Sequence, residues 1–285
     1  MPGLCVWLRR APGANFGILS HAMNLREAAK LGRQERILDA ARGLIERSGR
    51  ADFSMRGLAE AAGFSMATPY NLFGTRQGVM RALLAADLDG YGKALRATHG
   101  MPLDVLFGAV TLVTSTYAED PVRHRAVLRA VFGEGGRGHR PGFDGTFHAT
   151  WRERVQAAID AGDLRAETQA DFLALELGRN LFACVMDWVQ ERISLDELET
   201  YAQYSFALTL AAVATERTRD ALTARVFAQQ RRLVRLARVR FARAADDSRE
   251  SRTSGMDVES VMQQEAGMAN ETGAPEGAPD LSRYV

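Results

Sequence analysis

From Arg26 onward, apolar residues recur at the three- and four-residue spacing of helices buried on one side, and nowhere does the two-residue alternation of a half-buried strand persist. Ile37, Ala41, Leu44 and Ile45 make the first stripe, with Glu35, Arg36, Asp39 and Arg42 spread around it, and Gly49 supplies a stop. Short helices are expected over 54–62 and 66–73, followed by a longer one over 76–98. Pro102, Pro121 and Pro141 each stand where a new helix would start, because proline's fixed φ and missing N–H cost least in a first turn. Between the last two, Gly133-Glu134-Gly135-Gly136-Arg137-Gly138 reads as a loop.

Two strongly apolar helices are expected next, over 168–191 and 195–215. The first carries one stripe of Leu173, Leu177, Leu181, Cys184 and Trp188, and a second of Phe172, Leu175, Phe182, Met186 and Val189. A helix that is apolar on two faces must bury both, so one face is expected on its own chain and the other on a second copy. An arginine-rich helix then spans 216–244, with Leu222, Val226, Leu233 and Val234 on its apolar side. The stretch 245–285, rich in Gly, Ser, Glu, Asp and Pro, is expected to be disordered. The fold class is therefore all-α.

The bulk numbers narrow the partners. In 285 residues, 46% are hydrophobic and the formal net charge is +1, so any contact with nucleic acid has to come from a local basic patch. Cys5 and Cys184 fit no metal or disulfide spacing, which suits a cytoplasmic protein. No apolar run reaches the length of a membrane span. Leu4-Cys5-Val6-Trp7-Leu8 precedes Arg9-Arg10, the reverse of the order in a secretory signal, and residues 1–25 read as a disordered arm or an upstream translation extension.

The most informative stretch runs from Phe53 to Phe73. A tight corner between two helices needs a small residue where they cross, which Ala59 provides, and a sharp reversal four residues later, which Gly63 permits. Leu58, Ala62, Phe64 and Leu72 are spaced to fill the core beneath, and Ser65 is placed to cap the second helix. Pro69 is tolerable there if that helix starts at Ala67. Together, Ser54-x-x-x-Leu58-Ala59-x-x-Ala62-Gly63-x-Ser65, Thr68-x-Tyr70-x-x-Phe73 and Thr75-Arg76-x-x-Val79 resemble the DNA-binding domain of the TetR family of transcriptional regulators.

That resemblance implies a three-helix helix-turn-helix domain over 26–75 and a helical ligand-binding and dimerisation domain over 76–215, followed by the basic accessory helix. Ser65 to Phe73 would be the recognition helix in the major groove, with Phe73 a buried anchor. Ser54, Arg56, Tyr70, Thr75 and Arg76 are the expected contacts to the DNA backbone, and Met66, Ala67, Thr68 and Asn71 the expected readers of base edges. Gln77 stands where the family has an acidic residue, and Gly78 is a poor helix former.

The resemblance also implies a homodimer on a palindromic operator and a small hydrophobic or aromatic effector that favours a conformation unable to bind DNA. Phe107, Tyr117, Phe147, Trp151, Phe182 and Met186 are the candidate lining of its pocket, with Phe132 and His148 nearby. No catalytic residue, cofactor or metal is expected. His124, His139 and His148 share no ligand spacing, the glycine-rich loop lacks the lysine of a phosphate loop, and no nucleophile turn is present. The competing reading is an interaction protein that keeps the fold and binds a protein partner or an anionic membrane through its basic helix.

Overall fold

The computed structural model describes residues 16–133 and 146–240, with side chains from 25 and from 148 in the two segments. Pro141, His139, the glycine-rich loop from Glu134, the side chain of Phe147, Cys5 and the polar tail fall outside the described residues. The chain divides into two compact units, Met1–Gln229 and Gln230–Val285.

Within the described residues of the first unit every regular element is a helix: α1 (Phe16–Ser48), α2 (Met55–Ala62), α3 (Ala67–Phe73), α4 (Arg76–Ala97), α5 (Pro102–Glu119), α6 (Pro121–Phe132), α7 (Thr146–Asp160), α8 (Ala170–Val189), α9 (Leu195–Ala212) and α10, whose residues 216–229 belong to this unit. The first helix begins at Phe16, so residues 16–25 continue it backward where an irregular arm was expected. In the second unit, residues 230–240 are helical, with Arg231, Arg235, Arg238 and Arg240 exposed.

Capping explains most of the boundaries. Ser54 accepts a hydrogen bond from the Gly57 N–H at the start of α2, and Thr75 does the same for Gly78 at the start of α4. Pro102 and Pro121 open α5 and α6, where a missing donor costs nothing. Ser194 and Glu197 form a reciprocal capping box at the start of α9. Gly49, at φ +68°, ends α1 with its N–H on the Ile45 carbonyl at 2.7 Å.

The first three helices pack around Ile37, Ala41 and Ile45 of α1 and Leu58, Ala59 and Ala62 of α2, all buried. Val79, Met80 and Leu83 of α4 are fully buried and join the same continuous core. Beyond them, α4 packs on α5, α6 and α7, while α8 packs on α7 and α9. The start of α10 is tied down at Asp163, whose carboxylate pairs with Arg217 at 2.6 Å and whose carbonyl accepts from Thr218 at 2.6 Å.

Gly78 has a structural cause. A Cβ there would overlap the carbonyl group of Phe73, so the turn from α3 into α4 closes only over a glycine. Gly78→Ala should therefore lower the melting temperature. Replacing glycine inside a helix ordinarily gains about 1 kcal/mol, but overlap with rigid backbone costs about 1–3 kcal/mol. A thermal melt that rose would contradict this close approach.

Candidate functional site

The turn between α2 and α3 follows from Gly63. Its φ of +70° lets its own N–H reach the Glu60 carbonyl and that of Phe64 reach Ala59 at 2.9 Å, closing the end of α2. The Arg36 guanidinium from α1 lies over the Phe64 ring at 4.4 Å, locking the turn to the first helix. The second helix starts at Ala67, so Pro69 sits at its third position, where an N–H would have no partner inside the helix. Pro69 is buried, and Leu72 and Phe73 are half-buried, so the ring expected as a buried anchor is partly open.

This geometry leaves one face free. Ser54, Arg56, Ser65, Met66, Ala67, Tyr70, Asn71, Thr75 and Arg76 are all exposed, and Thr68 is half-buried. Met66, just before α3, and Tyr70 within it are 56% and 49% exposed, although α3 packs against two other helices. Two hydroxyls have structural duties as well. Those of Ser54 and Thr75 accept helix N–H groups, which leaves each O–H hydrogen available to a phosphate oxygen. The Ser65 hydroxyl bonds the Thr68 hydroxyl at 3.2 Å, and no side chain caps α3, a correction to the expected role of Ser65. Arg56 pairs with Glu60 at 3.0 Å, which a phosphate would have to displace.

Gln77, a departure from the family pattern, links two regions. Its Nε2 donates to the Ala130 carbonyl on α6 at 2.7 Å. A carboxylate there could not donate, so the glutamine is what makes this bond possible.

Among helices α4, α5, α6 and α8 lies a cavity of about 80 Å³, enough for several water molecules. Of the expected lining residues, Tyr117 and Phe182 face it, as does Phe132, which meets Phe182 edge-on at 5.0 Å. Phe107 instead lies under the Arg225 guanidinium, Trp151 is buried edge-on against Phe206, and Met186 is half-buried in the core away from the cavity; these three are not in its lining. His148 bonds the Asp171 carbonyl at 3.2 Å.

The cavity wall is mostly aliphatic and aromatic, with one polar corner that the sequence reading did not assemble. Asp87 and Tyr91 come from α4, Tyr117 from α5 and His124 from α6. Arg123 pairs with Asp87 and with Asp120, each at 3.2 Å, and Asp120 caps α6. The Arg123 guanidinium also meets His124 Nε2 at 2.9 Å. A guanidinium can only donate, so Nε2 accepts and the neutral ring carries its hydrogen on Nδ1. Burial, and then the Arg123 charge, hold the His124 pKa below its ordinary value. Tyr91 donates to the Ala109 carbonyl at 3.1 Å. Burial also pushes the Cys184 thiol up to about 11, which keeps it protonated and unreactive. Among the described residues, no group of three or more His, Cys, Asp or Glu side chains is placed to hold a metal ion, and no helix is long and apolar enough to cross a membrane.

The lowered pKa of His124 has a definite sign. The folded chain resists protonation that the unfolded chain accepts, so the contribution of this group is intact above the ordinary histidine value and fades as pH falls below it. The melting temperature should therefore drop between about pH 7.5 and about pH 5.5 by more in the natural chain than in His124→Gln. Equal drops would show that His124 is not the group responsible.

Comparison with known proteins agrees with this geometry. Residues 37–83 match the family described as bacterial regulatory proteins, tetR family. Among solved structures, a TetR transcription regulator from Haloarcula marismortui is similar, with a TM-score of 0.51 and 18% identity over 65% of this chain and 99% of that one. SmeT, the repressor of the Stenotrophomonas maltophilia multidrug efflux pump SmeDEF, aligns with a TM-score of 0.50 and 18% identity over 64% of this chain and 91% of that one. At that identity the two share the fold with this chain. None of the curated proteins matches the chain significantly in sequence. The glycine corner between α2 and α3, with its outer face open, lies inside the matched segment, so residues 37–83 form a helix-turn-helix unit like that of the bacterial regulatory proteins of the tetR family.

Proposed function

We propose that the chain is a repressor that binds a palindromic operator as a homodimer and is released by a small hydrophobic or aromatic ligand. The observation that carries this reading is that α4 serves both sites. Its first turn adjoins the end of α3 and is bonded through Gln77 to α6, and its Leu84, Asp87, Leu88 and Tyr91 line the cavity. At about 80 Å³ the cavity is smaller than the roughly 300 Å³ and upward of ordinary ligand sites. A ligand of that size has to move α4, α6 or α8 outward, so it favours a conformation other than the one described. Such differential affinity is the requirement for a ligand to shift a population.

The two-fold assembly is supported by what α8 and α9 leave uncovered. Phe172 is 73% exposed, and Tyr201 and Leu208 are exposed as well. Apolar rings and a leucine exposed on two strongly apolar helices are suited to a self-complementary contact. Two recognition helices related by that axis would read two half-sites one or more turns apart.

One observation favours the rival reading, a partner bound through the basic helix. Arg231, Arg235 and Arg238 follow one another at helical spacing, are exposed, and make no ion pair among the described residues.

Gel shift decides between the two. The protein should shift DNA flanking its own gene, or a palindrome selected from a random library. Tyr70→Ala and Arg76→Ala should each weaken binding, and Arg76→Ala should lower the slope of log affinity against log salt by about 1. Failure to bind either DNA at low salt would overturn the repressor reading. Binding that ignored both substitutions and was lost on replacing Arg231, Arg235 and Arg238 would move the contact to the basic stretch.

A further inference from the structure

The polar corner of the cavity is incompletely bonded, in a way that selects a ligand chemistry. His124 Nδ1 carries a hydrogen, yet Asp87 Oδ2 is 3.6 Å away, too far for a hydrogen bond. Asp87 Oδ2 receives the Arg123 guanidinium and retains lone pairs, since an ionised carboxylate accepts about four hydrogens. Tyr117, held between the His124 ring at 4.8 Å and the Trp188 ring at 5.1 Å, lines the cavity, and its hydroxyl makes no hydrogen bond among the described residues. A donor and an acceptor a little too far apart to satisfy each other therefore stand at one end of an otherwise apolar space, beside a hydroxyl that can play either part.

We propose that this corner binds the hydroxyl group of an uncharged, largely apolar ligand, an alcohol or a phenol, which accepts from His124 Nδ1 and donates to Asp87 while Tyr117 bonds the same oxygen. The inference rests on the reading of this cavity as the effector site. Other headgroups fit less well. An ether or carbonyl accepts from His124 and Tyr117 but gives nothing to Asp87. A carboxylate faces the Asp87 carboxylate, and an ammonium would compete with Arg123, which already neutralises Asp87. Leu84, Val113, Leu181 and Val185 supply the apolar remainder of the wall.

The probes are 4-propylphenol, its methyl ether, propylbenzene and 4-propylbenzoate, with binding to the full chain followed by calorimetry and by tryptophan fluorescence, since Trp188 stacks on Tyr117. The phenol should bind about tenfold or more tightly than each of the other three, the range expected for one hydrogen bond to a charged group. Asp87→Leu should narrow the preference for the phenol over its ether and, separately, Tyr117→Phe should narrow the preference for the phenol over propylbenzene, with folding verified by circular dichroism. If Asp87→Leu does not fold, Tyr117→Phe carries the test alone. Equal affinity for phenol and ether, absence of binding by all four compounds, or an undiminished preference in the folded variants would each overturn the proposal. Operator release is read separately: tight phenol binding without release would remove the regulatory reading and leave the hydroxyl site standing.

Discussion

Burial of one side of α4 holds this structure together. Val79, Met80 and Leu83 reach no solvent, and the helix packs on α1 and α3 at its start and on α5, α6 and α7 further along. A close-packed interior transmits displacement because no slack remains to absorb it. The helix that closes the helix-turn-helix unit is also a wall of the cavity. Gln77 adds a directional bond, joining the first turn of α4, which follows α3, to the α6 carbonyl of Ala130. The same α6 contributes His124, Val127 and Leu128 to the cavity, so two of its walls converge on the turn after α3.

The helix-turn-helix could be read from the sequence because its constraints are local. Ala59 and Gly63 are needed at fixed offsets whatever packs around them, and Pro69 is compatible with α3 only near its start, as found. Ser54 and Thr75 are caps because an oxygen three residues before a free N–H has a partner within its own turn. The same locality misled at Ser65, where the nearby Thr68 hydroxyl supplied a competing partner.

The cavity was legible only in part, for a related reason. Helical periodicity tells which side of a helix is buried and says nothing about which helices meet there. Bulk and position select Tyr117 and Phe182, but they select Phe107 and Trp151 equally, and those two fill the core elsewhere. The polar corner needs α4, α5 and α6 together, and Asp87 on its own reads as an ordinary exposed acid of a surface helix. Gln77 and Gly78 showed as irregularities; their causes, a carbonyl on α6 and the carbonyl of Phe73, lie outside any local pattern.

Whether α4 couples the two sites is tested most directly by amide hydrogen exchange along residues 67–80, with and without a compound bound among α4, α5, α6 and α8. Coupling predicts that occupancy of the cavity changes exchange in α3 and in the first turn of α4, with the change reduced when Gln77 is replaced by leucine. Protection confined to the cavity helices, with residues 67–80 exchanging at the same rates in both states, would contradict it.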